Sequence, residues 1–204
     1  PITQNVLLKA DEGRLKLAAT NLEIAISTWI GGQIEEEGSV TIPARLFTEL
    51  VSSLPTDRID LSTIGTSTSI DVKCARFESK INGADADDFP PIPTVDSGVG
   101  GNVDPSVLHE AITHVGFAAA TEDSRPVLAG IKVEISGDTF TFAGADGFRL
   151  AVYTGKLDEP ASEDVSFIVP ARTLQEVARL IVSQVKPVTF TVTSSKSQAL
   201  FRLD

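Results

Sequence analysis

The chain has 204 residues, 42% of them hydrophobic, which is enough for one large domain or two small ones, each with its own core. Its net charge of −11, from 17 Lys and Arg against 28 Asp and Glu, argues against nucleic-acid binding, because DNA affinity comes largely from cations that contact phosphates. A DNA-binding protein of this charge must gather its basic residues on one face. No stretch approaches the ~20 apolar residues of a membrane span. We expect a cytoplasmic protein, since no basic and apolar leader opens the chain and its single cysteine, Cys74, has no partner for an internal disulfide.

Alternating apolar residues predict half-buried strands in the first half of the chain. The segments are residues 4–10, 14–19, 22–30, 58–63, 68–73 and 75–81. A further apolar run ends at Pro43, and a proline directly after a strand suits the first turn of a helix, where its missing N–H costs nothing. The apolar residues that follow fall on one helical stripe. They are Leu46, Phe47, Leu50, Val51 and Leu54.

The second half begins with residues 93–103, which have the composition of a linker. A helix follows, because Asp104 can cap it and Pro105 can occupy its first turn. Its predicted buried face contains Val107, Leu108, Ala111, Ile112 and Val115. Another helix follows Pro170, and its predicted solvated stripe contains Arg172, Gln175, Glu176 and Arg179.

Two blocks of the sequence recur in the same order. The block from Pro1 to Ile26 matches the block from Pro126 to Val152, with Asn21 aligned to Asp146 and Glu23 to Arg149. The Pro-Ala-Arg triplet at 43–45 recurs 127 positions later, at 170–172. We interpret the chain as two copies of one module, residues 1–95 and 96–204. The alternative is two convergent strand–turn–helix units.

Both ends of the chain are expected to lie inside a module. The chain contains no methionine, and the first copy has no counterpart of the helix predicted after Asp104. The second copy stops at Asp204, before the strands that follow the first Pro-Ala-Arg helix have all been matched.

Motifs spread along nearly the whole chain resemble those of the bacterial replicative sliding clamp, the β subunit of DNA polymerase III. They are Ala19 to Ile24, Thr41 to Arg45, Ala84 to Pro93, Asp123 to Leu128, Ala145 to Leu150 and Val169 to Arg172. The resemblance implies an α+β class and the DNA-clamp fold, in which repeated modules place antiparallel sheets outside and paired helices around a central hole. The family has three modules per chain and closes as a head-to-tail homodimer. Most of the first and second modules would be present here, and the third absent.

The resemblance implies a processivity factor and not an enzyme. Such a protein encircles double-stranded DNA without reading its sequence. It tethers the DNA polymerase III catalytic subunit, the clamp loader and repair proteins through linear peptides. The DNA-facing candidates are Arg45, Arg125, Arg172 and Arg179, and the alternative for each is an ordinary surface salt bridge. A peptide-binding scaffold without a DNA role is the alternative function.

The family's peptide pocket carries over, residue by residue, to Leu128, Ala145, Gly147, Phe148, Arg149 and Leu150. Apolar side chains from this set would form the floor, and Arg149 would span the rim with its aliphatic stem. The family usually has threonine at the position of Ala145, and Asp146-Gly147 is also typical of a tight turn. No cofactor, metal site or catalytic constellation is predicted, because no phosphate-binding loop or metal-ligand motif occurs. The acidic run around Asp87 is interpreted as a solvated turn.

Overall fold

The computed structural model describes residues 1–63, 68–95, 97–122 and 124–204. The chain divides into two compact units, Pro1–Pro93 (unit 1) and Thr94–Asp204 (unit 2). Every strand pairing among the described residues is antiparallel, and each unit combines sheets with helices, so the predicted α+β class is confirmed. No helix in the described ranges is both long and apolar enough to cross a bilayer.

Unit 1 contains two antiparallel sheets and one α-helix among its described residues. The elements are β1 (Asn5–Asp11), β2 (Arg14–Thr20), β3 (Ala25–Gly31), β4 (Ser39–Pro43), α1 (Ala44–Ser53), β5 (Ile59–Thr63), β6 (Ser69–Cys74) and β7 (Phe77–Asn82). The strand orders are β3-β2-β1-β4 and β5-β6-β7. A short 3-10 helix, Ala86–Asp88, follows and is capped by the Asp85 side chain, in agreement with the turn predicted there.

The core of unit 1 lies between the strands and α1. Its buried residues are Leu8, Val40, Ile42, Ile70, Val72 and Ile81. From α1, Phe47 and Leu50 pack against this core as predicted, but Leu46 is 50% exposed. The described part of unit 1 contains no second α-helix beside α1, so the edge of its apolar stripe stays in contact with solvent. Leu46 therefore lies at the exposed edge of the predicted apolar stripe.

Unit 2 has the same kinds of elements with one helix more. They are β8 (Val99–Val103), α2 (Pro105–Gly116), β9 (Gly130–Ser136), β10 (Thr139–Ala145), β11 (Leu150–Lys156), β12 (Val165–Pro170), α3 (Ala171–Leu180), β13 (Val188–Val192) and β14 (Ala199–Arg202). The strand orders are β11-β10-β9-β12 and β14-β13-β8. One apolar core joins both sheets to α2 and α3.

The glycine-rich segment before α2 is a strand and not a linker. Val99 and Val103 are buried, and β8 pairs with β13. A Cβ at Gly100 would clash with the carbonyl oxygen of Phe190, so glycine here permits close packing. The linker prediction is therefore wrong for the second half of residues 93–103, and Asp96 lies outside the described residues.

Helix α2 begins and packs as its sequence predicts. The Asp104 side chain accepts hydrogen bonds from the backbone N–H groups of Ser106 (2.8 Å) and Val107 (3.3 Å). The Ser106 hydroxyl is the main cause of the lowered pKa of the Asp104 carboxyl, followed by the Ser106 backbone. Leu108 and Ile112 are buried against the core, together with Ala111 and Val115. Val107 is only partly buried.

The four-stranded sheets of the two units share strand order and register. Asn5 pairs with Pro43 in unit 1, and Gly130 pairs with Pro170 in unit 2. These two pairs reproduce the offsets of 125 and 127 positions in the sequence. The internal repeat is therefore present in the strand pairing as well as in the sequence.

The register stays constant through the turn after β2. Thr20 pairs with Ala25, and 125 positions later Ala145 pairs with Leu150. Glu23 is consequently equivalent to Phe148. The sequence alignment of Glu23 with Arg149 is wrong by one position, because it introduced a gap that the two turns do not have.

Candidate functional site

Four of the six predicted pocket residues lie in or directly after the turn between β10 and β11. The Asp146 carboxylate accepts hydrogen bonds from the backbone N–H groups of Phe148 (2.9 Å) and Arg149 (3.0 Å). Gly147 has a φ of 95°, a backbone conformation that favours glycine. The Phe148 backbone N–H is the main cause of the lowered pKa of the Asp146 carboxyl, and Arg149 adds to it. The turn is therefore fixed by its own first side chain.

This turn presents apolar side chains to solvent. Phe148 is 96% exposed and Leu150 is 70% exposed. Exposed large apolar residues that lie close together mark interaction surfaces more often than scattered single ones do. Ala145 and Leu128 are partly buried. A shared apolar floor formed by Leu128, Ala145 and Leu150 stays a prediction.

Leu128 belongs to the segment that connects α2 to β9. Its carbonyl oxygen accepts a hydrogen bond from the Ala120 N–H (2.8 Å), and its own N–H donates to the Arg125 carbonyl (3.0 Å). The Arg125 side chain reaches the β10–β11 turn and donates from Nη1 to the Asp146 carbonyl oxygen (2.9 Å). The segment is thus connected to the turn through Arg125.

Arg125 is held by two neighbours. Besides Asp146, its guanidinium contacts Glu122 at 3.3 Å, and its side chain is 40% exposed. It lies in a connecting segment and not on a helix. Asp123, which belongs to the same sequence motif, lies outside the described residues. A DNA contact by Arg125 stays a prediction.

Phe117 is a member of this surface that the sequence motifs did not indicate. It caps the C-terminus of α2 and is 58% exposed. The guanidinium carbon of Arg149 lies over its ring, 5.5 Å from the ring centre. Arg149 Nε also donates to Asp146 Oδ2 at 2.8 Å. The one local signal for Phe117 was an aromatic residue placed just after the apolar stripe of α2.

The other three candidate arginines lie on helices. Arg45 is in the first turn of α1, where its side chain is 92% exposed and pairs with Glu49 at 2.8 Å. Arg172 is exposed in the first turn of α3, and Arg179, in its last turn, pairs with Glu176 at 3.2 Å. Exposed pairs within one helix are weak, and a DNA contact by any of these three arginines stays a prediction.

Unit 1 has a counterpart of the β10–β11 turn with different chemistry. The Asn21 side chain accepts from the backbone N–H groups of Glu23 (3.0 Å) and Ile24 (2.8 Å), as Asp146 does 125 positions later. Leu22 takes the place of Gly147, with a φ of 76°. Ile24 takes the place of Arg149. The unit 1 turn therefore copies the backbone geometry without the arginine.

Two family models match the chain. One is described as the N-terminal domain of the DNA polymerase III beta subunit and matches residues 1–93. The other is described as the central domain of the same subunit and matches residues 102–203.

Individual relatives agree with these matches. The beta sliding clamp of Streptomyces coelicolor is 33% identical, over 90% of this chain and 48% of that protein. The beta sliding clamp of Synechocystis is also 33% identical, over 100% of this chain and 56% of that protein. The chain thus spans about half the length of the relatives it matches.

Solved structures share the fold. The DNA polymerase III subunit beta from Pseudomonas aeruginosa matches with a TM-score of 0.88 and 29% identity, over 95% of this chain and 53% of that chain. The DNA polymerase sliding clamp from Bacillus subtilis matches with a TM-score of 0.91 and 24% identity, over 99% of this chain and 55% of that chain. Because the two matched domains follow one another in order over nearly all of the residues, the chain belongs to the DNA polymerase III beta subunit family, the beta sliding clamps.

Proposed function

We propose that the protein containing this chain encircles duplex DNA and tethers a replicative polymerase and other partners through short peptides. The observation that carries the proposal is the repeat: two four-stranded sheets of equal order and register, each followed by a Pro-Ala-Arg helix. A ring built from such modules would bring equivalent helices to its hole. Exposed arginines on those helices would then face the DNA.

The charge distribution is compatible with this function. The chain carries a net charge of −11, yet Arg45, Arg172 and Arg179 are exposed on α1 and α3. Their contacts to phosphate oxygens would carry no sequence information, which suits a protein that slides. Topological linkage, and not affinity, would retain the ring on DNA.

The complete protein would contain three modules per chain and close as a head-to-tail homodimer. This chain supplies the first two matched domains, so we propose that it does not close a ring by itself. Sedimentation of the 204-residue chain as a closed dimer would contradict this. Its role is that of an accessory subunit in the cytoplasm, with no catalytic site proposed.

The test of encirclement compares circular with linearised DNA. The full-length protein is loaded onto a plasmid, and its retention is followed before and after a single cut. A ring held by topology should remain on the circle and leave the cut molecule within minutes or faster. Equal loss from both forms would count against encirclement.

The β10–β11 turn supports a second part of the proposal, a peptide-binding surface. The exposed Phe148 and Leu150 side chains, next to Arg149, offer apolar area beside one cation. A scaffold that binds peptides and has no DNA role is the alternative, and the net charge of −11 favours it. Reversal of the helical arginines separates the two functions, because it should impair only a protein that contacts DNA.

A further inference from the structure

We propose that one face of the β3-β2-β1-β4 sheet binds an acidic segment of a partner protein, with carboxylates at alternate positions of an extended backbone. The residues that would bind it are Lys9, Arg14, Lys16 and Trp29, which we call the lysine–tryptophan row. The row belongs to unit 1. Duplex DNA and the peptides proposed for the β10–β11 turn would not use it, so the surface is distinct from those of the proposed function.

The row lies on the side of the sheet that faces away from the core of unit 1. Lys9 pairs with Lys16 and Lys16 pairs with Trp29, so these three side chains cross β1, β2 and β3 next to one another. Arg14 is two residues before Lys16 on β2 and shares its face, because alternate residues of a strand point to the same side. Leu8, the neighbour of Lys9, points to the opposite side and is a core residue.

The two ammonium groups of the row have no carboxylate partner. In the part of the chain that the structure describes, neither Lys9 nor Lys16 forms an ion pair. Like charges directly opposite each other on neighbouring strands destabilise a sheet. Arg14 contacts Glu12 at 3.5 Å, and an exposed pair of this kind is weak. A carboxylate brought by a ligand would offset the repulsion between the two lysines.

Trp29 holds two of the cations in place. Its ring centre lies 5.0 Å from Nζ of Lys16 and 5.8 Å from the guanidinium carbon of Arg14, and such a ring attracts cations to its face. The indole Nε1 donates to Asp11 Oδ2 at 2.8 Å, which fixes the ring across the sheet. This hydrogen bond is the main cause of the lowered pKa of the Asp11 carboxyl, and the cations of the row add to it. The Asp11 carboxylate is therefore already engaged.

Unit 2 shows that the fold does not require this row. The equivalent positions, 125 residues later, hold Glu134, Thr141 and Thr154 in the same strand pairing. Thr139 takes the place of Arg14. None of these four equivalents is a cation. The row is therefore a property of the unit 1 sequence and not of the sheet geometry.

The spacing of the cations favours an extended acidic segment. Lys16 and Arg14 are two residues apart on one strand, so their Cα atoms are about 7 Å apart. Residues i and i+2 of an extended peptide share one face at the same spacing, so alternate carboxylates would meet the two cations in turn. The Trp29 ring already has two cations over it and is poorly suited to stack a nucleic-acid base. An acidic protein segment is therefore favoured over a single strand of nucleic acid.

The test uses the 204-residue chain and fluorescent octapeptides with blocked ends. The first alternates glutamate with serine, the second has glutamine in place of each glutamate, and the third has its glutamates in one consecutive block. Polarisation of the labelled peptide measures affinity, and the fluorescence of Trp29, the single tryptophan, reports binding at the row itself. At low salt the alternating glutamate peptide should bind roughly tenfold more tightly than the glutamine peptide, as several exposed ion pairs together imply.

Two double variants separate the row from the total charge. Lys9→Gln with Lys16→Gln should reduce the ratio of the two affinities to about one, because both unpaired ammonium groups are lost. Lys132→Gln with Lys156→Gln removes the same charge from exposed strand positions of unit 2 and is the matched control. It should keep the wild-type ratio. The block peptide should bind the wild-type chain less tightly than the alternating one, since its neighbouring carboxylates point to opposite sides of an extended backbone.

Four results would overturn the proposal. They are equal binding of the glutamate and glutamine peptides, an unchanged Trp29 fluorescence on binding, equal losses in the two double variants, and tighter binding of an oligothymidylate of the same net charge. The last result would assign the row to single-stranded nucleic acid. Circular dichroism checks that each variant is folded, and none of these outcomes bears on DNA encirclement or on the β10–β11 turn.

Discussion

Leu22 and Gly147 occupy the same position in two equivalent turns, with φ angles of 76° and 95°. In both turns the preceding side chain, Asn21 or Asp146, accepts hydrogen bonds from the backbone N–H groups of the residues two and three positions after it. A left-handed conformation costs an L-residue about 1–2 kcal/mol, which glycine avoids. Leu22 is 72% exposed, so packing offsets little of that cost.

We therefore expect Leu22→Gly to change the free energy of unfolding little or to raise it by up to about 1 kcal/mol, because relief of strain exceeds the entropy that glycine adds to the unfolded chain. Gly147→Ala should lower it by about 1 kcal/mol or more. Urea unfolding measures both. Gly32→Ala is the control, since nothing lies within 4 Å of a Cβ built there and its φ is not left-handed. Equal effects of Gly147→Ala and Gly32→Ala would refute the assignment of strain.

A buried threonine connects β4 to the segment after β7. Thr41 is fully buried, and its hydroxyl donates to the Ala84 carbonyl oxygen (3.1 Å) and accepts from Asn5 Nδ2 (3.2 Å). Thr41→Val keeps the shape but leaves the Asn5 amide without this acceptor, so it should cost about 1–2 kcal/mol of unfolding free energy. Thr28→Val, at an exposed position of β3, is the matched control and should be nearly neutral. A neutral Thr41→Val would mean that water replaces the lost partner.

The cap of α2 makes stability depend on pH. The pKa of Asp104 is lower in the folded chain than its ordinary value of 3.8, because the Ser106 hydroxyl and the backbone donate to its carboxylate. A lowered pKa stabilises the fold at pH values above about 4, and this stabilisation is lost as the pH falls through the folded value.

Asp104→Ala should therefore cost about 1 kcal/mol at pH 7, the usual value of an N-cap. Unfolding measured from pH 7 down to pH 3 should show the difference from the wild-type chain shrinking below about pH 4. Asp104→Asn, which keeps an acceptor, should show a smaller loss at pH 7. A difference between Asp104→Ala and wild type that stays constant with pH would contradict the role of the carboxylate.

The sequence predicted those strand ends and helix starts that are set by neighbouring residues. Pro43 and Pro170 each mark the end of a strand and the start of a helix, and the repeat predicted from their offset recurs in the strand pairing of the two four-stranded sheets. Asp104 and Pro105 fix the start of α2 for the same reason.

Features that depend on distant partners could not be predicted in this way. Strand β8 has the composition of a loop, and only its pairing with β13 makes it a strand. The contact of Phe117 with Arg149 requires the C-terminus of α2 to lie beside the β10–β11 turn, which no local pattern encodes. Arg125 was predicted to face DNA from the family resemblance, and its hydrogen bond to the Asp146 carbonyl oxygen in that same turn was not predicted.

The last prediction concerns the arginines of α3 in the full-length protein. Arg172→Glu with Arg179→Glu should weaken binding to duplex DNA at low salt. It should also reduce the slope of log affinity against log salt by roughly two, since each phosphate contact contributes about 0.9. Lys9→Glu with Lys132→Glu is the matched control: it changes the net charge by the same amount at exposed strand positions whose neighbours Leu8 and Ile131 point into the cores. The control should leave the slope nearly unchanged, and both double variants should bind peptides like the wild type. Equal losses of DNA affinity in the two double variants would show that total charge, and not the arginines of α3, governs DNA binding. The proposal that the helices face the DNA would then be contradicted.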